Sequence, residues 1–402
     1  MSFSLMSLRD FIFAPVRWWL VQVGKLLETL SPGEPAAALS CFFATPAIGG
    51  AERVHADIVA ALADQKPDVY FTEPAPNTGL LPLYTRVARV IDLAPRIANR
   101  TSFYLTVGRL ARRLNRTPGG VVLGAFSYFF YRMLPYLHSN VRRIDLIHNF
   151  GVRFETFSLP HVARIDRRVM INGSVAEALK QLYREHGVAD SLASRISVIE
   201  NAVNVPDAPP AKPEGPLRVL YVGRSTPEKR VLLVGKLAAA AKEAGLEARF
   251  TAVGDVTLPG IECVGVISDP AALRAHYQRA HVLVLTSERE GFPMAVMEAM
   301  SHGVVPLCTD VGGLISHVIN DHTGTLVPAQ PEDAVVGKMV DQLKRWASDP
   351  EELARLSAAA YERARTHFSM QRFAAAWREL LLPRAAIKPT DAKPALARGP
   401  AA

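Results

Sequence analysis

Residues 217–237 read LRVLYVGRSTPEKRVLLVGKL. Leu217 to Val222, broken only by Arg218, form a run rich in branched side chains, which fits a strand covered on both faces better than a half-exposed one. Gly223 ends the run, and after a short polar turn the pattern becomes helical, with Thr226 the expected N-cap and Pro227 the expected first helical residue. Lys229 and Arg230 would then sit in the first turn, where the helix dipole penalises cations by a few tenths to about 1 kcal/mol each. Together with Arg224 they ask for an anion, and the free N–H groups of a helix start suit a phosphate.

The same strand, loop and helix order recurs in both directions. Before it, ALSCFFATP turns through Ala47-Ile48-Gly49-Gly50 into the helical AERVHADIVAALA. VVLGAFSYFFY, RIDLIHNF, RRVMING and RISVIEN read as further strands, and SVAEALKQLYREHG as a helix capped by Ser174 and closed by Gly187. After it come ARFTAVG, VLVLTS and VVPLCTD, separated by helical stretches. Strands alternating with helices imply parallel sheets, here two in tandem with a cleft between them.

Boundaries follow from composition. Residues 1–35 are an amphipathic extension, 36–206 a first Rossmann-like unit, and 207–216 a proline-rich linker. Residues 217–368 form a second Rossmann-like unit, 369–384 a terminal helix and 385–402 a tail expected to be disordered.

Glu298 poses the sharpest chemical question. It lies in EGFPMAVMEAMSHG, residues 290–303, among Met294, Val296, Met297, Ala299 and Met300. A helix apolar on every side is a buried one. A carboxylate taken there without a partner costs several kcal/mol or neutralises itself. Either an internal arginine or a ligand must satisfy it, and Glu290, eight residues earlier, raises the same question.

The whole chain of 402 residues is 49% hydrophobic and 21% charged, with net charge +8. That is globular composition, and the positive balance suits nucleic acid, anionic lipid or phosphorylated ligands. No nucleic-acid recognition motif appears. Arg109, Arg112, Arg113 and Arg116 recur at one helix face, as a solvated stripe or as an attractor of anionic lipid or phosphate. Phe126, Tyr128, Phe129, Phe130, Tyr131 and Tyr136 crowd one stretch, part of it core and the rest a candidate lipid-facing or ligand-facing groove. Cys41, Cys263 and Cys308 are widely spaced within apolar runs, as expected of reduced core thiols. There is no Asp-x-Asp and no clustered metal-ligand spacing, so neither metal nor other cofactor is expected. No cleavable leader is evident, which points to the cytosol or the cytoplasmic membrane face. The helical stretch after Pro15, with Trp19, Val23, Leu26, Leu27 and Leu30 on one side, suits either an anionic membrane interface or docking on its own fold.

VGRSTPEK resembles the VGR-x-x-x-x-K segment of retaining GT-B glycosyltransferases of family 4, and Glu290 and Glu298 have that family's E-x7-E spacing. Gly49-Gly50-Ala51-Glu52-Arg53 is similar to its N-terminal glycine loop, and VIENAVNV to its inter-domain V-I-x-N-G-V segment, with alanine in place of glycine. The resemblance implies an α/β GT-B fold and transfer of a sugar from a nucleoside-diphosphate donor to a glycan or lipid-linked acceptor. It implies that Arg224 and Lys229 hold the diphosphate, that Glu290 holds donor-sugar hydroxyls, and that Glu298 accepts from the ribose. Gly49, Gly50, Gly254, Gly291, Phe292 and Met294 would lie along the donor, Val266 and Ile267 would read the base through their main chain, and His148 would face the donor sugar. A sugar-nucleotide epimerase or hydrolase of the same shape, or a non-catalytic nucleotide-sugar binder, shares most of these features.

Overall fold

The computed structural model describes residues 13–148, 154–290 and 292–382; expectations for residues 1–12, Gly291 and the tail lie outside the described residues. Two separate sheets account for the strands, every neighbouring pair parallel. The first comprises β1 (Leu39–Phe43), β2 (Asp68–Phe71), β3 (Arg89–Asp92), β4 (Val121–Ala125), β5 (Arg142–Ile147), β6 (Arg167–Met170) and β7 (Ile196–Val198). Their order is β3-β2-β1-β4-β5-β6-β7. The second comprises β8 (Leu217–Val222), β9 (Ala248–Val253), β10 (Glu262–Gly265), β11 (Val282–Leu285), β12 (Val305–Thr309) and β13 (Thr325–Val327), in the order β10-β9-β8-β11-β12-β13. Each sheet reverses direction once, between β1 and β4 in the first and between β8 and β11 in the second. These are the switch points at which open α/β sheets leave a crevice beyond the carboxyl ends of their strands.

Central strands are buried along their whole length, as β1, β4, β11 and β12 show, because helices cover both faces. Two expectations give way to local chemistry. The apolar run read as one strand through Tyr131 ends at Ala125; Phe126 takes a left-handed conformation (φ 51°) and the Ser127 side chain caps the helix Tyr128–Met133 by accepting from Phe130 N at 3.2 Å. Phe130 folds back over Gly124, whose missing Cβ would stand 2.2 Å from its ring. The helix expected to be capped by Ser174 is capped two residues earlier, by Asn172 accepting from Val175 N at 2.8 Å. Of the aromatic stretch, Phe129, Phe130 and Tyr131 are core, while Tyr128 is exposed beside Phe154 and Phe157.

The last helix, Met370–Leu381, returns from the second unit to the first. Val203 N donates to Phe368 O at 2.9 Å just before the crossing, and Phe368 still belongs to the second unit's core. Phe373, Trp377 and Leu381, spaced one turn apart, then enter the core of the first. Arg378 fastens the helix to Asp64 at 2.6 Å and to Ala61 O at 2.9 Å, and Arg142 donates to Leu380 O at 2.6 Å. The Arg378 hydrogen bond draws the Asp64 carboxyl down to about 2. Trp377→Ala should lower the stability of the first unit by about 3–5 kcal/mol, the usual cost of a truncated core tryptophan. Denaturant unfolding followed by circular dichroism measures it.

Candidate functional site

In the second sheet the loops following β8, β9, β10 and β11 meet at one edge. Gly223 N donates to Val253 O at 3.0 Å and Gly254 N to Gly265 O at 2.9 Å, so the three loops interlock. Gly254 has φ 142°, and a Cβ there would stand 1.8 Å from Gly223 O, so no other residue fits without moving the β8 loop. The resemblance places Gly254 along the donor; in the structure the group that crowds it is the backbone of Gly223. Asp255 accepts from Ser225 N at 2.7 Å and Tyr221 donates to Arg224 O at 3.2 Å, which fixes the turn carrying Arg224. Val266 is exposed at the same edge and Ile267 half-buried.

The turn after β8 does not lead straight into a helix. Pro227–Lys229 make a single tight turn, Arg230 adopts a left-handed conformation (φ 45°), and the helix runs Leu232–Glu243. Arg230 is therefore not a first-turn cation; its guanidinium is buried and donates to the carbonyls of Thr286 (2.7 Å), Ser287 (3.2 Å) and Ala329 (2.9 Å). Thr286 Oγ1 returns bonds to the carbonyls of Lys229 and Arg230, both at 3.1 Å. These bonds stitch the β8 and β11 loops together across the switch point. Thr226, expected as a cap, makes no side-chain capping bond.

The stitched loops bring Lys229 and Glu290 into contact. Lys229 Nζ lies 2.5 Å from Glu290 Oε1, which also accepts from Ser287 Oγ at 2.6 Å. The two side chains are only 18% and 7% exposed, so water screens the pair weakly. An ammonium carries three donors, and this contact takes one. The Arg224 side chain, by contrast, is exposed and makes no hydrogen bond or ion pair among the described residues.

Glu298 sits half-buried in the helix Met294–Ser301. Burial pushes its carboxyl above the usual range, against the pull of the Tyr277 hydroxyl and of Arg53, with Asp57 adding repulsion. Tyr277 is itself buried, and its hydroxyl closes no well-directed hydrogen bond. Arg53 and Asp57 pair with each other at 3.1 Å on the helix Gly50–Ala61 of the first unit, so the carboxyl lies where the two units meet. Gly50 begins that helix, and a Cβ on it would stand 3.7 Å from Met294 Cγ. Gly49 is its N-cap, in extended backbone, with the Glu52 carboxylate folded over it. Phe292 has turned inward, packing on His317 and Phe368. His317 in turn contacts Glu200 of the first unit at 3.0 Å.

His148 follows β5, buried, with Nε2 2.8 Å from Nε2 of His55. His55 stacks flat on Phe43, ring centres 4.3 Å apart, and Phe126 leans on His148 at 5.3 Å. Burial holds both imidazoles neutral, lowering His148 to about 3 and His55 well below its usual range, with repulsion from His148 added to the burial of His55. His55 Nδ1 is enclosed and unpartnered. A bare acceptor is the cheaper orphan, so His55 is best read as donating from Nε2, which places the His148 proton on Nδ1. The sequence reading missed His55, although a histidine beside Val54, Ile58 and Val59 on an apolar helix face was a signal. Among the described residues no three His, Cys, Asp or Glu side chains gather as a metal site.

Comparison with known proteins places this geometry. The solved structure of Anabaena Alr3699/HepE in complex with UDP and glucose superposes with a TM-score of 0.67 at 15% identity, covering 85% of this chain and 99% of that one. The fold is GT-B. Residues 206–363, the second unit of the GT-B pair, match the family of glycosyl transferases group 1. A glycogen synthase of Mycobacterium tuberculosis is 27% identical over 238 residues, 55% of each chain. A D-inositol 3-phosphate glycosyltransferase of Streptomyces bingchenggensis is 36% identical over 89 residues, 22% of this chain and 18% of that relative. The matches thus span about half or less of those relatives' lengths.

Two outcomes test the edge of this GT-B unit. Lys229→Met should destabilise the protein by about 2 kcal/mol, between the surface and fully buried limits for breaking a pair, and adding Glu290→Gln should recover part of that loss. Chemical denaturation of the singles and the double closes the cycle. Gly254→Ala should cost about 1–3 kcal/mol through forced strain, read as a lowered melting temperature.

Proposed function

We propose that this protein is a retaining glycosyltransferase, moving a sugar from a nucleoside-diphosphate donor to a glycan or lipid-linked acceptor in cell-surface polysaccharide or lipopolysaccharide synthesis. The observation that carries the reading is the meeting of Lys229 and Glu290 at the switch point of the second sheet, beside the turn that carries Arg224 and opposite the glycine loop of the first. In this reading Arg224 and the free donors of Lys229 take the diphosphate, and their charge stabilises it as it leaves. Glu290, held by Lys229 and Ser287, directs its remaining oxygen to donor-sugar hydroxyls. Glu298 exchanges an unfavourable buried charge for hydrogen bonds from the ribose. His148 contributes a neutral Nδ1 donor toward the sugar, its tautomer set by His55. Gly254, Val266 and Ile267 line the base.

The proposed chemistry needs no side-chain nucleophile. The bond between the anomeric carbon and the β-phosphate oxygen breaks, the acceptor oxygen bonds to that carbon from the same face, and its proton passes to the departing phosphate oxygen. Configuration is thereby retained. Closure of the units would place Gly49 and Gly50 against the sugar and diphosphate, near Met294.

A panel of nucleotide-sugars, UDP-glucose first, tests the reading, since ligands that bind the native state raise its melting temperature. Arg224→Ala with Lys229→Ala should abolish the shift given by the matching nucleoside diphosphate. Glu290→Gln should keep that shift yet slow transfer about 100-fold or more, the scale of losing a group that stabilises developing charge. No shift with any nucleotide-sugar, or unaltered affinity in the double variant, would refute it.

A further inference from the structure

The helix Ala14–Leu30 packs on the helix Arg100–Asn115 of the first unit through a contact that leaves no room for side chains. A Cβ on Gly24 would stand 2.2 Å from Leu105 O, and one on Gly108 2.2 Å from Val21 O, so the two backbones touch. Glu28, buried on the same face, accepts from Arg113 Nε at 2.8 Å and Nη2 at 3.0 Å, from Arg109 Nε at 3.2 Å and from Gly33 N at 3.0 Å. The helix is thereby fixed about its own axis. Two arginines of the basic stripe are engaged in this way, 81 and 85 residues from their partner.

What this orientation leaves outside is apolar. Val16, Trp19, Val23, Leu26 and Leu30 follow one another at helical spacing on the face opposite Gly24 and Glu28, and Trp19 is 65%, Leu26 56% and Leu30 73% exposed. Phe13, Trp18 and Leu27 flank them. Residues 13–30 supply 8 of the 16 large hydrophobic side chains exposed among the described residues. A contiguous apolar stripe of this kind marks a contact surface.

We propose that this outward face seats the first unit on an anionic lipid bilayer. Charge selects the occupant. Lys25 Nζ lies 5.7 Å from the Tyr136 ring, Arg17 and Arg132 bear on the same tyrosine, and Arg112 stands close enough to repel Lys25. Arg100 covers the Phe13 ring at 6.0 Å. Glu28, the one acid between Ala14 and Leu30, is buried and neutralised. By helical spacing Arg17 and Lys25 lie toward the first unit, at the margins of the apolar stripe, and anionic headgroups around the inserted stripe complement the cations gathered there. Among the described residues no helix is long and apolar enough to cross a membrane, so the helix lies in the interface, its tryptophans at headgroup depth. This inference does not depend on the transfer reaction.

The test is co-sedimentation of the full chain with vesicles of phosphatidylcholine alone and with about 30% phosphatidylglycerol added, the anionic fraction supplying the surface charge. Binding is expected to the anionic vesicles, at least tenfold weaker to the neutral ones, and reduced by salt. Trp346 and Trp377 are buried, so a blue shift of tryptophan emission on vesicle addition reports Trp18 and Trp19. Trp19→Ser with Leu26→Ser and Leu30→Ser removes side chains that are mostly exposed and lie outside the core, should leave the melting temperature nearly unchanged, and should weaken vesicle binding at least tenfold. Arg112→Gln with Arg132→Gln should lessen the preference for anionic over neutral vesicles. The proposal is overturned if the serine variant binds vesicles as the wild type does. It is equally overturned if the wild type binds none, or if light scattering shows a wild-type dimer that the serine variant dissolves.

Discussion

Parallel pairing is the constraint from which the rest of this molecule follows. A parallel neighbour cannot be reached by a tight hairpin, so each strand must send the chain back along a covering helix. Every loop that leaves a strand's carboxyl end therefore arrives at one edge of its sheet. In both sheets the order reverses beside the first strand, and the crevice at each reversal carries the residues with unsatisfied chemistry. Arg224, Lys229 and Glu290 lie at one such edge; Gly49, Gly50 and His148 lie at the other.

The two edges are held in register by very different interactions. Apolar burial carries the long-range link, as Met370–Leu381 leaves one core at Phe368 and enters the other at Phe373. Polar contacts finish the alignment, with Glu200 meeting His317 and Arg53 bearing on Glu298. Burial is non-directional, so it fixes that the units meet; the ion pairs and hydrogen bonds fix how. A mostly buried Lys229–Glu290 pair is electrostatically sound without ligand, and it keeps both groups ordered. The same pair positions a cation with donors to offer beside a carboxylate with an oxygen to offer. Glu298 is the less contented group, raised by burial and only partly compensated.

Much of this was legible in the sequence, and the misses have physical causes. Fully buried parallel strands such as β1, β4, β11 and β12 are mostly apolar runs, so the alternation of elements could be read directly. Short edge strands such as β3, β10 and β13 carry little apolar signal because fewer of their residues are buried. The FSYFFY run looked like strand because aromatic residues favour both; Ser127 and the left-handed Phe126 decided for a helix. Arg230 looked like a phosphate ligand by position, but its left-handed backbone and three carbonyl partners make it a strut. The union of Glu28 with Arg109 and Arg113, and of His55 with His148, is set by tertiary packing, which local pattern does not encode.

The central claim is that the Lys229–Glu290 contact is the ligand-free form of a diphosphate and sugar site. A crystal structure with a nucleoside diphosphate bound tests it most directly. The account predicts the diphosphate between Arg224 and Lys229, the ribose hydroxyls on Glu298, and the base beside Val266 and Ile267. A diphosphate seated elsewhere, with Arg224 still free and Glu298 still without a ligand, would contradict it.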